Sequence, residues 1–571
     1  SFAIAALVTG RLDNDWIVAV RKWMLFAWLF LSIGNALGMI WAYEELGWGG
    51  YWAWDPVENA ACLPWFTASA YVHSTMIQER RNMLKVWNVF LICLTFFLTI
   101  FGTFLTRSGL IASVHSFAQS NIGIFFVYYM GFIVAACAGL IAWRWRELRS
   151  EARIEAVASR ESAFVLNNWV LVGIMTFITV ATLWPKISEW IYKESVTVGP
   201  PFFNRWIAPA GVLLFLLMGL APLFGWRKTS EASIKKAVAL PLAAAALTLA
   251  LHLALGSRLG YPAWVHTDQF YPGAVGVVLQ KLGSVLPLIV IVLAGFNTAV
   301  IVQEFARGVA ARRRSSLKAG DQESVLTALT RLVDKSRRRY GGYIVHFGIV
   351  LMFIGFTGKA WSVDKEANMA PGDQLTVGDY SLTYKGPRME VDVNKRMVFA
   401  DLDVSRGGRA LGLLSPAKFI YKKTPDMPTT EVAMLRSFRD DLYLVVGMVS
   451  PETKKATFQF HVNPLVSWIW AGVIVLIFGS TVSLWPEMAL KEVGAWGYVR
   501  SAAAGLSAVA FALWLGMSPS TAYASQRAAR APPASPSRAT EALPLASAAA
   551  AAAAGLALGA LASRRRRRAR Q

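Results

Sequence analysis

Residues 48–65 read W-G-G-Y-W-A-W-D-P-V-E-N-A-A-C-L-P-W and gather five aromatic rings, Trp48, Tyr51, Trp52, Trp54 and Trp65, into one short run. Gly49 and Gly50 let the backbone turn tightly or approach a ligand closely. Asp55-Pro56-Val57-Glu58 has the makings of a helix start: a carboxylate N-cap, a proline at the first helical position and a glutamate that completes a capping box. Trp and Tyr also collect at membrane interfaces as plain anchors. Anchoring explains the rings but not the ordered Gly-Gly, Trp-x-Trp-Asp-Pro and Glu-Asn around them. A flat aromatic platform on a rigid helix start suits a large planar apolar ligand with a polar edge, and a porphyrin has that shape.

The histidines offer the matching chemistry. There are six, His73, His115, His252, His266, His346 and His461, and an ionisable residue within a membrane segment is rare and usually functional. His73 lies on the apolar segment that descends from the aromatic run, roughly 24 Å below the helix start at 1.5 Å per residue. His346 lies on a segment running the other way, roughly 9 Å in from Tyr340. The two meet at similar depth, as two axial imidazoles gripping one b-type haem in a helical bundle would; two separate hydrogen-bonded histidines is the plainer reading. His115 follows G-T-F-L-T-R-S-G at 102–109 on the side of the aromatic run, where a neutral imidazole can ligate haem iron. Arg107 beside it is either an interface anchor or a partner for a haem propionate. His252, His266 and His461 read as ordinary polar residues. The three cysteines, Cys62, Cys93 and Cys137, make no CxxC or CxxCH and read as small core residues, so any haem is held non-covalently.

These residues need a membrane bundle to position them. With 571 residues, 55% of them hydrophobic, the chain reads as an all-α polytopic membrane protein of about 12–13 transmembrane helices, carrying a small β-rich domain. The candidate spans are a stub at 1–9, then 23–42, 57–78, 86–106, 122–142, 164–184, 206–225, 236–256, 283–304, 340–358, 465–485, 496–516 and 543–562. The net charge of +22 is concentrated in alternate loops, among them Arg80, Arg81 and Lys85 and the segment 305–339 with Arg312–Arg314 and Arg337–Arg339. That pattern sets topology and is no footprint of nucleic acid. It places those loops in the cytoplasm and the aromatic run outside.

The domains follow: a bundle over 1–358 with the tryptophan-rich segment at 44–66, an outward domain at 359–464, and helices at 465–516. In the domain, runs such as Gln374-Leu-Thr-Val and Met389-Glu-Val-Asp-Val alternate between Gly-Asp, Gly-Pro and Arg406-Gly-Gly turns. A Pro/Ala-rich stretch at 517–571 ends in an arginine run, after either a weak last span or a low-complexity tail.

The run at Trp48, Gly49, Gly50, Trp52, Trp54, Asp55, Pro56, Val57, Glu58, Asn59, Pro64 and Trp65 resembles the "WWD" signature of the haem-handling proteins of cytochrome c biogenesis. With G-T-F-L-T-R-S-G…S-V-H-S, the intramembrane histidines and the outward domain, residues 1 to about 495 are similar to the CcmF family. Those are the haem lyases of the bacterial cytochrome c maturation system. The resemblance implies a haem lyase of the bacterial inner membrane with its tryptophan signature facing the periplasm. There it receives haem as a transient substrate from the chaperone CcmE and attaches it to the CxxCH thiols of apocytochrome c, which CcmH and CcmI present. It implies a stable haem b between His73 and His346 that reduces the incoming haem iron, using quinol, and His115 as one of two outer ligands. The other outer histidine of the family precedes the segment F-A-I-A-A-L at 2–7. Since Ser1 opens on half a span, the chain is expected to be a fragment, inactive when isolated. Competing readings are a haem transporter or exporter, for which no repeat of broken helices is seen, and a single-component synthetase relative. The haem-delivery relative CcmC is far shorter, and a quinone-handling subunit needs no tryptophan platform.

Overall fold

The computed structural model describes residues 1–485 except 112, 114–120, 151, 270, 321 and 322. The expected spans at 496–516 and 543–562 and the 517–571 tail lie outside the described residues. The helices are α1 (Phe2–Thr9), α2 (Asp15–Glu45), α3 (Pro56–Arg81), α4 (Lys85–Ser108), α5 (Gly123–Trp143), α6 (Trp145–Leu148), α7 (Arg160–Tyr192), α8 (Pro200–Leu220), α9 (Glu231–Leu259), α10 (Gly273–Lys318), α11 (Val325–Lys335), α12 (Arg337–Thr357) and α13 (Val466–Leu484). Nine of the described helices are long and apolar enough to cross a bilayer: α2, α4, α5, α7, α8, α9, α10, α12 and α13.

Helix α3 is long enough but too polar to count by composition, and its packing explains why. Asn59, Thr67, Ser69, Ser74, Thr75 and Gln78 are all buried where α3 packs between α2, α4 and α7. A helix whose polar side chains face its neighbours carries little apolar signal of its own. Thr95 of α4 donates to Thr67, and Asn59 donates to Thr182 of α7, so two of these buried polar groups find partners on neighbouring helices.

The expected loop at 305–339 is largely helical instead. Helix α10 runs 46 residues, about 70 Å at 1.5 Å per residue. That is more than twice the hydrocarbon thickness of about 30 Å, so its arginine-rich end stands clear of any bilayer and leads into α11. Arg312 and Arg331 both meet the Glu323 carboxylate there.

Helices α12 and α13 touch backbone to backbone. Gly341, Gly348 and Gly355 recur every seven residues on α12 and face Gly472, Gly479 and Ile469 on α13. A methyl group added at Gly348 would lie 2.6 Å from the Gly472 carbonyl oxygen. Small residues on both sides permit this approach, the usual route to tight helix pairing where lipid removes the hydrophobic drive.

Between these two helices the chain forms a β-sandwich. One sheet has the order β1 (Val363–Met369), β10 (Ala456–Pro464), β9 (Asp440–Val449), β8 (Ala433–Leu435). The other has β2 (Gln374–Val377), β3 (Tyr380–Val391), β4 (Lys395–Arg406), β6 (Ala417–Tyr421), β7 (Thr429–Glu431), with β5 (Arg409–Leu414) also on β4. Alternate residues Tyr380, Leu382 and Tyr384 of β3 meet Leu402 and Val404 of β4 and Phe458 and Phe460 of β10 in one core, the period-two pattern of half-buried strands. The expected alternating run at 389–393 is cut short. Strand β3 ends at Val391, because the Asp392 carboxylate takes the backbone N–H groups of Asn394 and Lys395, each at 2.7 Å, and turns the chain.

Candidate functional site

The capping box at the start of α3 forms as its residue types require. Asp55, 9% exposed, accepts from the Val57 N–H, and Glu58 Oε2 accepts from the N–H groups of Asp55 at 3.2 Å and Ala53 at 3.0 Å. Ser113 also donates to the Asp55 carboxylate. This contact has no local sequence signal, and it ties Ser113, the first residue of the S-V-H-S run, to the helix start. His115 itself lies outside the described residues.

Trp54, just before the cap, has φ +59°, the left-handed region that a bulky residue adopts only when its surroundings hold it there. Its ring stacks on Phe203 of α8, with centroids 4.8 Å apart and planes 7° from parallel. Its Nε1 donates to Asn204 at 2.8 Å, and its carbonyl accepts from Asn59 at 3.0 Å. Trp52 meets Trp54 edge-on, at 5.9 Å and 86°. The expected flat platform is therefore an angled pair, because Phe203 has claimed the plane of Trp54. The Trp52 Nε1 is buried and has no partner among the described residues, a donor that a polar ligand edge could satisfy.

Trp48 is half-buried, between Gly47 and Gly49. Trp65 does not join the platform. It lies within α3, stacked on Trp28 of α2 at 5.8 Å and donating to Ser32 at 2.8 Å. It packs in a cluster with Val345, Ile349 and Met352 of α12, on the route to the histidines. Arg107 is exposed in the last turn of α4.

His73 and His346 come together. Their ring centroids are 6.2 Å apart and their planes differ by 16°. Two imidazoles sharing one metal ion, with metal–nitrogen bonds of about 2.0 Å and each nitrogen roughly 1 Å from its ring centre, would have centroids about 6 Å apart. The His73 Nδ1 lies 2.7 Å from the Ser69 carbonyl oxygen. A carbonyl only accepts, so Nδ1 carries the proton and Nε2 keeps its lone pair for a metal. His346 follows Gly341 by five residues and precedes Gly348 by two, about 140° and 160° around the helix from them. The glycine seam thus turns His346 away from α13 and toward α3. A side chain at Gly342, one turn from His346, would meet nothing within 4 Å, so there is open space beside the pair. Phe164 of α7 meets His73 edge-on at 5.8 Å. Two facing imidazoles, one tautomer set by a carbonyl, aromatic walls and open space fit a bis-histidine haem.

Beyond the histidines a layer of ion pairs closes the same end of the bundle. Glu79 of α3 meets Arg21 and Arg338. Glu304 of α10 meets Arg339 at 2.6 Å and the Tyr343 hydroxyl at 2.9 Å.

His461, which its sequence context gave no reason to single out, lies against the aromatic loop. Its ring packs on Gly49, and its Nδ1 is 2.7 Å from Asp364 Oδ1. That hydrogen bond holds the Asp364 carboxyl below the usual carboxylate range. His266 lies 3.5 Å from Asp268 in an exposed segment, and His252 packs beside Trp361 at 6.1 Å.

Residues 3–111 match the model of the cytochrome c assembly protein family, and residues 360–464 match that of the CcmF C-terminal β-sandwich. The chain is 35% identical over 486 residues to the cytochrome c-type biogenesis protein ccl1 of Rhodobacter capsulatus, covering 85% of this chain and 68% of that one. It is 31% identical over 496 residues to the cytochrome c-type biogenesis protein CcmF of Escherichia coli, covering 86% and 69%. A solved structure titled cytochrome c heme lyase CcmF is similar with a TM-score of 0.64 at 28% identity, covering 85% of this chain and 69% of that one.

Proposed function

The chain belongs to the CcmF family of cytochrome c-type biogenesis proteins, and on that premise we propose that it is a haem lyase that holds haem at the tryptophan-rich loop for attachment to apocytochrome c. The observation that carries the reading is the near-parallel His73/His346 pair, 6.2 Å apart, beneath a loop whose Trp54 is fixed from α3 and α8. In the reaction each thiol of a CxxCH motif adds across a haem vinyl group. The S–H bond breaks, a C–S bond forms, and the proton passes to the neighbouring vinyl carbon. Both nucleophiles belong to the cytochrome, so this chain contributes orientation and redox poise.

Trp48, Trp52 and Trp54 hold the substrate haem, Asp55 fixes the helix start beneath them, His115 ligates its iron and Arg107 pairs with a propionate. Trp65 lines the path between this site and the histidine pair. His73 and His346 would hold a resident haem b, which would supply one-electron chemistry when bound. Ser69 fixes the His73 tautomer, and the glycine seam sets the direction of His346. The partners are the chaperone CcmE, CcmH and CcmI, apocytochrome c, and a quinol as electron source. The protein spans the bacterial inner membrane, with its arginine-rich helix ends in the cytoplasm and the tryptophan loop and β-sandwich in the periplasm.

The absorption spectrum of protein purified in detergent tests the reading. A low-spin b-type spectrum that both His73→Ala and His346→Ala remove is expected. Its persistence in both variants overturns the assignment.

A further inference from the structure

We propose that the β-sandwich is a clamp on the tryptophan-rich loop, with Asn463 and the Asp364–His461 pair as positioning residues of the haem site; this rests on the reading of that loop as a haem site. Asn463, the penultimate residue of β10, is 5% exposed. Its Nδ2 donates to the Gly49 carbonyl at 2.9 Å and to the Tyr43 hydroxyl at 3.2 Å. That hydroxyl donates onward to Asp441 of β9 at 3.2 Å. One amide therefore fastens both the end of α2 and the first turn of the loop to the sandwich.

His461, two residues earlier on β10, works by shape. A methyl group added at Gly49 would lie 2.6 Å from its Cε1 and Nε2, so the loop backbone lies directly on the imidazole. Asp364 of β1 holds the ring by its Nδ1, and the side chain is 15% exposed. Gly49 has φ +73°, so two constraints select glycine there. Gly47 is pressed in the same way against Thr430, whose Cγ2 would lie 2.9 Å from an added methyl. The Arg436–Glu44 ion pair, at 2.6 Å, closes the edge of the contact.

The space remaining between Gly49–Tyr51 and Asn463–Val466 is about 20 Å³, room for a water molecule and nothing larger. Haem therefore meets the loop from the opposite side. The loop is thus held at two points, by β10 at Gly49 and by Phe203 and Asn204 at Trp54. Residues 50–53 between them are half-buried, with Tyr51 and Trp52 packed against the cluster of Tyr43 and Tyr443. Buried hydrogen bonds with satisfied partners rigidify what they hold, and a site held to a fraction of an ångström binds more tightly than one left to fluctuate.

The experiment uses the full chain in detergent with its His73/His346 haem as internal control of folding. Asn463→Leu removes the donor, Asn463→Asp keeps the shape but turns an acceptor toward the Gly49 carbonyl, and Gly49→Ala is measured alone and with His461→Ala. Hydrogen exchange across residues 47–54 reads the clamp directly, and titration with added ferric haem reads its consequence. Both Asn463 variants should raise exchange in that segment at least tenfold, weaken uptake of the second haem about tenfold and shift its Soret band, while the resident spectrum stays unchanged. Gly49→Ala should behave likewise, and His461→Ala should partly rescue it by vacating the space. Unchanged exchange in both Asn463 variants, or no rescue, overturns the clamp. A wild-type protein that takes up no second haem overturns the haem reading of the loop instead, and the exchange data still decide the clamp.

Discussion

Gly348 and Gly472 bring α12 and α13 into backbone contact: a methyl group on either would lie 2.6 Å or less from the other's carbonyl oxygen. The contact fixes the rotation of α12 and so the direction of His346, on the far side of the helix from the seam. Gly348→Ala and Gly472→Ala should each force the helices apart, at a cost of roughly 1–3 kcal/mol for overpacking. Because the histidine turns with its helix, haem retained per protein should fall with them. Pyridine haemochrome content and thermal unfolding measure the two effects, and a wild-type haem content in both variants refutes the link between seam and ligand.

The pair itself gives a second expectation. His346→Met should retain haem but raise the midpoint potential, since a thioether ligand stabilises the reduced state. His346→Ala should lose the haem. Redox titration of the purified variants followed by absorption distinguishes them, and equal potentials in wild type and His346→Met would remove His346 from the iron.

A third concerns pH. Asp441 is fully buried beside Tyr43. Burial pushes its carboxyl up to about 6, with Arg436, the Ser437 N–H and Tyr43 pulling the other way. The unfolded carboxyl titrates near 3.9, so between about pH 4 and 6 the folded state binds the extra proton. Stability from this group is thus fully present below that window and is lost as pH rises through it, by on the order of 2–3 kcal/mol. Asp441→Asn should flatten that part of the stability profile and raise stability at neutral pH. Glu431, pushed to about 7 by burial and by Glu45, leaves a second slope at higher pH that this variant retains. Urea unfolding from pH 4 to 8 is the measurement, and an unchanged slope below pH 6 contradicts the assignment.

Much of this was legible in the sequence because it depends on neighbours in sequence. Apolar runs mark the membrane helices, the Asp55-Pro56-Val57-Glu58 types dictate a capped helix start, and depth along two antiparallel helices brings His73 to His346. Contacts between distant segments leave no such trace. The His461 ring on Gly49, the Ser113 hydroxyl on Asp55 and the Phe203 face on Trp54 each join positions without any shared period. Trp65 misled for a related reason: it belongs to the signature by spacing, yet the α3 helix carries it down the bundle to Trp28. The extent of α10 was missed because a helix leaving the membrane loses its apolar signal and keeps its hydrogen bonds.

The last prediction separates two roles of Asp55. It caps α3, a contribution of about 1 kcal/mol, and it receives Ser113. His115 follows Ser113 by two residues, and two residues of chain span at most about 7 Å, so this tether limits how far the proposed outer ligand can stray from the helix start. Ser113→Ala leaves the cap whole and removes the tether. It should therefore lower capture of chaperone-delivered haem several-fold with no loss of helix stability. Asp55→Asn still caps and still offers an oxygen to Ser113, so it should stay near wild type, and Asp55→Ala should lose both functions. Trp54→Ala, which vacates the stack on Phe203, should also abolish capture while the His73/His346 spectrum persists. Haem transfer from the chaperone and cytochrome maturation in cells lacking their own lyase are the assays. A Ser113→Ala protein that captures haem as well as wild type would show that the Ser113–Asp55 contact plays no part in capture.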